Sequence, residues 1–233
     1  QVYMSITKVI DVTFSVYSSK YSIRDNLKNV LSNYRTLAFD CETRSIFNPE
    51  DRKEAKEYLS TANTRDEFYK QAMVAVSSSG LSYPSITRTT HFILGSSRSH
   101  SYIFVCNDED TEMFIWEALS RYEGILLVHN SLFDLKIMME RVGRLPKNYV
   151  DTALMVKCMI NHVNTWKAKV GLKGLMGSYY NPKWSMSAGD YEPKNLKDPS
   201  FILYCAIDGA SCFYLYELIL DEYENMRKEE NNA

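Results

Sequence analysis

Cysteine pairs of the kind that bind metals or form redox motifs are missing from this sequence. Its five cysteines are odd in number and include no CxxC pair, so no zinc site is expected. Their apolar neighbours predict buried free thiols in a reducing compartment, which indicates the cytoplasm. The five are Cys41, Cys106, Cys158, Cys205 and Cys212.

Long apolar runs and excess charge are lacking as well. No uninterrupted stretch of about eighteen apolar residues occurs, so neither a membrane-spanning helix nor a membrane partner is expected. The 27 Lys and Arg residues nearly balance the 29 Asp and Glu residues, and the net charge is −2. This balance excludes a strongly basic nucleic-acid binder, but it allows a nucleic-acid site that is itself acidic and filled by cations.

Strand-like and helix-like segments alternate over most of the chain. Residues 1–34 predict one or two strands and then a helix with a capping box formed by Ser22 and Asp25, and we interpret them as an N-terminal appendage. Strands alternate with helices after a hairpin in residues 35–228, which predicts one α/β domain.

Three segments interrupt or end this alternation. Residues 48–72 are charged and carry helix-start signals, so a helical insertion is expected there. Residues 161–194 interleave aromatic residues with lysines, which is typical of surfaces that stack bases and contact phosphates, and also of an irregular surface segment. Residues 229–233 are expected to fray.

The stretch "TLAFDCETRS", Thr36–Ser45, places two acids inside an apolar strand-like run. Side chains two positions apart point to the same face of a strand, so Asp40 and Glu42 lie together while Phe39 and Cys41 face a core. Adjacent carboxylates repel, and a divalent cation relieves that repulsion. A solvated strand end is the alternative interpretation of the same pattern.

Two further acids stand in contexts that favour a site. Asp134 in "VHNSLFD" opens a helix after a buried strand, where α/β sites gather, although it also fits a capping box with Ser131. Asp208 is the only charge in an apolar stretch and needs a partner or a metal, with Tyr204 one helical turn before it. Asp151 fits best as the N-cap of the next helix.

The motifs "FDCET", "HNSLFD" and "YCAID", in this order, resemble those of the DEDD 3′→5′ exonuclease superfamily. More narrowly, they resemble its DEDDy branch, which includes the proofreading domains of family A DNA polymerases and ribonuclease D. The stretches "VDT" and "GLKGLM" are most similar to family A proofreading domains, including phage enzymes. The resemblance implies a ribonuclease H-like α/β fold with a central mixed sheet of about five strands flanked by helices.

The resemblance also implies a chemistry and a set of roles. Two divalent ions, Mg²⁺ with Mn²⁺ as a substitute, would assist removal of nucleoside 5′-monophosphates from a 3′ end, with no small-molecule cofactor. The implied metal ligands are Asp40, Glu42, Asp134 and Asp208. Tyr204 would orient the attacking water. The residues expected to contact the terminal nucleotide are Thr43, His129, Asn130 and Phe133.

The favoured substrate is the single-stranded or frayed 3′ end of DNA, with a DNA polymerase domain or subunit as a candidate partner. If the source is a phage, the compartment would be the host cytoplasm. One alternative is an RNA-trimming exonuclease of the ribonuclease D kind, which shares the same acids. The other is an inactive exonuclease fold that serves as a binding module, but that interpretation predicts loss of an acid and all four are present.

Overall fold

The computed structural model describes residues 2–3, 12–45, 87–160, 171–172, 175 and 195–232. The helical insertion predicted at 48–72 lies outside these residues, as does most of the aromatic and lysine-rich segment at 161–194. Both stay predictions.

Seven strands of the described part form one mixed sheet. They are β1 (Val2–Tyr3), β2 (Thr13–Tyr17), β3 (Thr36–Ser45), β4 (Thr87–Ser97), β5 (His100–Val105), β6 (Ile125–Val128) and β7 (Asn148–Asp151). Their spatial order is β1-β2-β5-β4-β3-β6-β7. The predicted α/β fold with a mixed central sheet is confirmed, with seven strands in place of about five because β1 and β2 extend the edge beyond β5.

Helices cover both faces of this sheet. Those with described bounds are α1 (Lys20–Asn33), α2 (Glu109–Ser120), α3 (Ser131–Val142), α4 (Thr152–Ile160) and α5 (Pro199–Asn232). The capping box predicted at Ser22 and Asp25 is wrong by one helical turn. Ser19 is the N-cap, and its hydroxyl accepts the Ser22 N–H at 3.1 Å, because Ser22 already occupies the third helical position.

The two layers of helices enclose separate cores. Helices α1, α2 and α3 cover a core that contains Phe39, Cys41 and Trp116. Helix α5 covers the opposite face, over Ile93 and Ile103. The predicted alternation of β3 is therefore confirmed for its apolar side, and the acids between these apolar residues face the α5 layer.

The N-terminal elements belong to the same sheet and core. Strand β2 pairs in parallel with β5, and residues Ile23, Leu27 and Val30 of α1 pack in the core under α2. The domain boundary predicted after residue 34 stays a prediction, but residues 13–33 are joined to the rest by backbone pairing and apolar packing.

Helix α5 has 34 residues and carries one of the predicted site acids. Asp198 caps its start by accepting the Ser200 N–H at 2.9 Å. The helix continues to Asn232, so residues 229–232 are helical where the sequence predicted a frayed tail, because α5 extends past the predicted domain end.

By length and composition, α5 alone among the described helices could span a membrane. However, 67% of its apolar window is buried inside the protein, and the core helix of a folded domain passes the same test. Sequence reasoning missed this window because it counted only uninterrupted apolar runs, and charged residues interrupt α5.

None of the five cysteines, all of which the structure describes, is in a disulfide, and four of them are buried as predicted. Cys158 is exposed, contrary to the prediction, because it shares the solvent-facing side of α4 with Leu154 and Lys157. Its apolar neighbours in the sequence were a poor guide to burial on a short helix with only one covered face.

Candidate active site

Three carboxyl groups meet between β3 and α5. One oxygen from each of Asp40, Glu42 and Asp208 lies within 4.8 Å of the others. Asp208 is buried, and the other two are half-buried. The motif resemblance implied these three residues and Asp134 as metal ligands, and the structure brings the three together although they lie on two elements far apart in the chain.

The alternation of strand β3 and a bulge in it direct the side chains of Asp40 and Glu42 toward α5. Glu42 pairs with His91 of β4, and the register shifts between Glu42 and Thr43. The Thr90 hydroxyl donates to the Glu42 carbonyl at 3.3 Å beside this shift. Bulges bend a strand and redirect its side chains. Glu42 is therefore the last residue of the regular alternation that faces α5.

The position of Asp208 depends on a close contact between two glycines. A Cβ atom on Gly95 of β4 would lie 2.2 Å from the carbonyl oxygen of Gly209, and one on Gly209 would lie 2.6 Å from the Ser101 hydroxyl. That hydroxyl donates to the Ala206 carbonyl at 2.7 Å. Because only glycine allows this approach, α5 lies directly on β4 and β5 and brings Asp208 to the level of β3.

Tyr204 lies one turn before Asp208 and is also buried. Burial raises the pKa of the Tyr204 phenol, and the neighbouring charges of Asp208, Glu42 and Asp40 and a hydrogen bond to Asp208 raise it further. The phenol is thus protonated at neutral pH and can donate its O–H. The structure places Tyr204 beside the three acids as the motif implied, and its role toward water stays a prediction.

Asp134 approaches the site from the opposite layer and is not part of the three-acid group. One of its oxygens accepts the Cys41 N–H at 3.1 Å and the Cys41 thiol at 3.0 Å. Burial, followed by the charge of Asp40, raises the pKa of Asp134 well above its usual range. Backbone pairing between β3 and β6 ends at Phe39. Two residues later, the Asp134 side chain takes the place of β6 by accepting the Cys41 N–H. Its role as a metal ligand stays a prediction.

The alternative interpretation of Asp134, a capping box with Ser131, does not form. Asn130 is the N-cap of α3, has left-handed backbone angles and makes no side-chain cap bond. The Ser131 hydroxyl donates instead to Asp151 at 2.7 Å. Asp151 is the N-cap of α4 as predicted, since it accepts the Ala153 N–H at 2.9 Å.

A cavity of about 580 Å³ opens beside the three acids and Tyr204. Three of the residues expected to contact a terminal nucleotide line it, namely His129, Asn130 and Phe133. Thr43 is not among its lining residues, since it follows the bulge that ends the alternation. The contacts of all four with a nucleotide stay predictions.

Sequence reasoning missed one charged residue of this cavity, Lys157 of α4. It is exposed and stands one helical turn after Ala153, which also lines the cavity. Lys157 follows Ala153 by four residues, so both lie on one face of α4, a helix that begins beside the site. This spacing is the one sequence signal that could have pointed to Lys157.

The chemistry of these donors fits a divalent cation. Carboxylate oxygens are the ligands that Mg²⁺ and Mn²⁺ prefer, and three of them gathered at one point concentrate negative charge that such an ion offsets. Within the described residues, this is the group of acidic, histidine or cysteine side chains whose ligand atoms lie close enough to share one ion.

The fold of the chain has counterparts among solved structures. The chain has the DnaQ-like, ribonuclease H-like fold, which it shares with solved structures that include an exoribonuclease. The fold that the motif resemblance implied is therefore confirmed. These structures give no support to the narrower link with polymerase proofreading.

Three solved structures illustrate the likeness. NrnC of Brucella melitensis with bound Mg²⁺ has a TM-score of 0.53 and 15% identity, over 94% of this chain and 84% of NrnC. RNase D of Escherichia coli has a TM-score of 0.54 and 13% identity, over 91% and 45%. The catalytic core of RRP6 from Trypanosoma brucei has 0.58 and 13%, over 93% and 48%. No protein-family model and no curated protein sequence matches the chain.

Proposed function

We propose that this chain is a divalent-metal-dependent 3′→5′ exonuclease that acts on RNA. The observation that carries the proposal is the group formed by Asp40, Glu42 and Asp208, with the Tyr204 phenol beside it, at the wall of an open cavity. An inactive binding module would not need three carboxyl groups held at ligand distance against their own repulsion.

The preference for RNA comes from the proteins that share the fold. RNase D of Escherichia coli is described as an exoribonuclease involved in structured RNA processing, and RNase D of Trypanosoma brucei has been solved with RNA U12. NrnC has been solved with pGG. These substrates favour the RNA alternative over DNA proofreading, which the motifs "HNSLFD" and "GLKGLM" favoured.

Each side chain at the site has a role that its position supports. Asp40, Glu42 and Asp208 would hold a divalent ion, with Asp134 contributing to a second, and such ions supply activation of water and neutralisation of charge at phosphorus. The Tyr204 phenol, whose single O–H bonds Asp208 in this structure, would orient the attacking water by turning that O–H toward it. Products are nucleoside 5′-monophosphates, one for each cleavage.

Two walls of the cavity would hold the substrate strand. His129, Asn130 and Phe133 enclose the terminal nucleotide on the α3 side. Lys157 of α4, which also lines the cavity, offers a positive charge to a backbone phosphate. The carboxyl groups beside the cavity would not repel an anionic substrate, because bound dications reverse the local sign of the charge.

One gel assay tests this proposal. RNA and DNA of the same sequence, single-stranded and labelled at either the 5′ or the 3′ end, are incubated with Mg²⁺, with Mn²⁺ or with EDTA. We expect a descending ladder from 5′-labelled RNA, immediate release of labelled mononucleotide from 3′-labelled RNA, and no reaction with EDTA. Shortening of DNA alone would favour the proofreading alternative, and no shortening of either polymer would overturn the exonuclease proposal.

A further inference from the structure

One carboxylate beside the cavity joins two turns of the fold. Asp151 Oδ1 accepts the N–H groups of Asn130 at 3.2 Å, Ala153 at 2.9 Å and Leu154 at 3.2 Å. Asp151 Oδ2 accepts the N–H and the hydroxyl of Ser131, both at 2.7 Å. A single side chain thus binds four backbone amides, two before α3 or at its start and two in the first turn of α4.

Only two of these five bonds belong to an ordinary N-cap. A capping Asp accepts amides of its own helix, as Asp108 does for α2 by accepting the Thr111 N–H at 2.8 Å. The bonds from Asn130 and Ser131 go beyond this role, since they come from a turn about twenty residues earlier in the chain. Burial acts to raise the pKa of Asp151, but hydrogen bonds from Ser131 and the backbone outweigh it, so the pKa lies below its ordinary value.

The turn held by these extra bonds has an unusual backbone. Asn130 has φ 66° and ψ 63°, and among the described residues it is the single non-glycine with positive φ. Such a conformation needs support from its surroundings. His129 and Asn130 line the cavity, and His129 Nδ1 lies 2.8 Å from the Thr152 hydroxyl, a second link between the same two turns.

We propose that Asp151 is a positioning residue for substrate binding, which holds the His129–Asn130 turn in place against the terminal nucleotide. Its bonds to Asn130 and Ser131 carry this role, whereas its bonds to Ala153 and Leu154 cap α4. The inference rests on the proposed exonuclease function, since that function supplies the nucleotide in the cavity.

The substitution Asp151→Asn separates the two roles. Asparagine caps helices about as well as aspartate, so α4 keeps its cap, but the amide nitrogen that replaces one oxygen cannot accept the Ser131 N–H. Ser131→Ala is a milder variant that removes only the hydroxyl bond. Asp108→Asn is the matched control, because it makes the same change at the N-cap of α2, away from the cavity.

Two measurements on the full chain test the idea. The first is KM and kcat for single-stranded RNA; Asp151→Asn should raise KM about tenfold and change kcat less than about threefold, with a smaller rise for Ser131→Ala and none for Asp108→Asn. The second is amide hydrogen exchange, in which Ser131 should exchange faster in Asp151→Asn while Ala153 stays protected.

The outcomes separate the inference from the function on which it rests. An active wild-type protein whose KM is unchanged by Asp151→Asn would overturn the positioning role, as would unchanged exchange at Ser131. An equal fall in kcat and melting temperature for Asp151→Asn and Asp108→Asn would also overturn it, since that pattern reports only capping. A wild-type protein without nuclease activity would contradict the proposed function, and the exchange data would still decide whether Asp151 holds the turn.

Discussion

Two buried carboxylate regions of this molecule have opposite kinds of neighbour. Glu112 of α2, whose side chain is 3% exposed, lies 3.4 Å from Arg141 and 3.9 Å from Arg88, and it accepts the Thr89 N–H. Asp208 of α5 instead lies beside two other carboxyl groups. Cationic neighbours stabilise a buried acid, and like charges destabilise it. Its cationic neighbours therefore account for the burial of Glu112, whereas a divalent ion, as the proposed function requires, would offset the repulsion within the Asp208 group.

The largest expected effect is that of Asp208→Asn. This change removes a ligand and relieves repulsion, so activity should fall by about a thousandfold or more while the melting temperature without metal stays equal or rises. Wild-type protein should also melt at a higher temperature when Mg²⁺ is added, and the variant should lose most of that increase. Exonuclease assays and thermal melts with and without Mg²⁺ measure both. Wild-type activity in the variant would contradict the site.

Glu112→Gln should give the opposite pattern. It removes the negative charge that faces the Arg141 guanidinium, which is 14% exposed, so the free energy of unfolding should fall by about 3 kcal/mol. The kcat of the folded protein and its stabilisation by Mg²⁺ should stay near the wild-type values. Urea denaturation gives the stability. If this variant lost activity without losing stability, the contrast between the two acid regions would fail.

Local patterns made much of the acid site predictable. Period-two alternation placed Asp40 and Glu42 on one face of a strand, and an isolated charge in an apolar helix identified Asp208 as an acid in need of a partner. The fold class followed from strands alternating with helices. These features depend on neighbours within one or two turns of the same element, so a single sequence contains them.

The rest depends on contacts between distant parts of the chain. The bond from Cys41 to Asp134 joins residues 93 positions apart, and the contact of Gly95 with Gly209 brings together two elements that the sequence does not relate. The joining of two turns by Asp151 was likewise hidden, because an N-cap explained that residue on its own. The bulge that turns Thr43 away from the cavity arises from the register between β3 and β4.

Tyr204→Phe tests whether catalysis by the three-acid group also requires the Tyr204 hydroxyl. The ring should still pack against Phe201, whose centroid is 5.6 Å away, so stability should fall by only about 1 to 2 kcal/mol for the lost bond to Asp208, and stabilisation by Mg²⁺ should hardly change. Loss of the O–H should lower kcat by about a hundredfold, since proton and water placement is typically worth this much. Tyr102→Phe is the control, because its hydroxyl bonds that of Tyr34 at 2.8 Å. Equal turnover in the two variants would exclude a role for the Tyr204 hydroxyl.

The smallest effect is expected from Lys157→Ala. This variant tests whether the cavity beside the Asp208 group also needs a positively charged side chain to bind its substrate. Lys157 is exposed, so its contact with a phosphate is screened by water and salt, and KM for RNA should rise only about two- to threefold at low ionic strength. The slope of log KM against log salt concentration should fall by about one, the signature of one lost phosphate contact. Lys28→Ala removes another exposed lysine, one that lines a different cavity, and it should change neither value. Equal salt slopes for the two variants would mean that the cavity binds its substrate without help from Lys157.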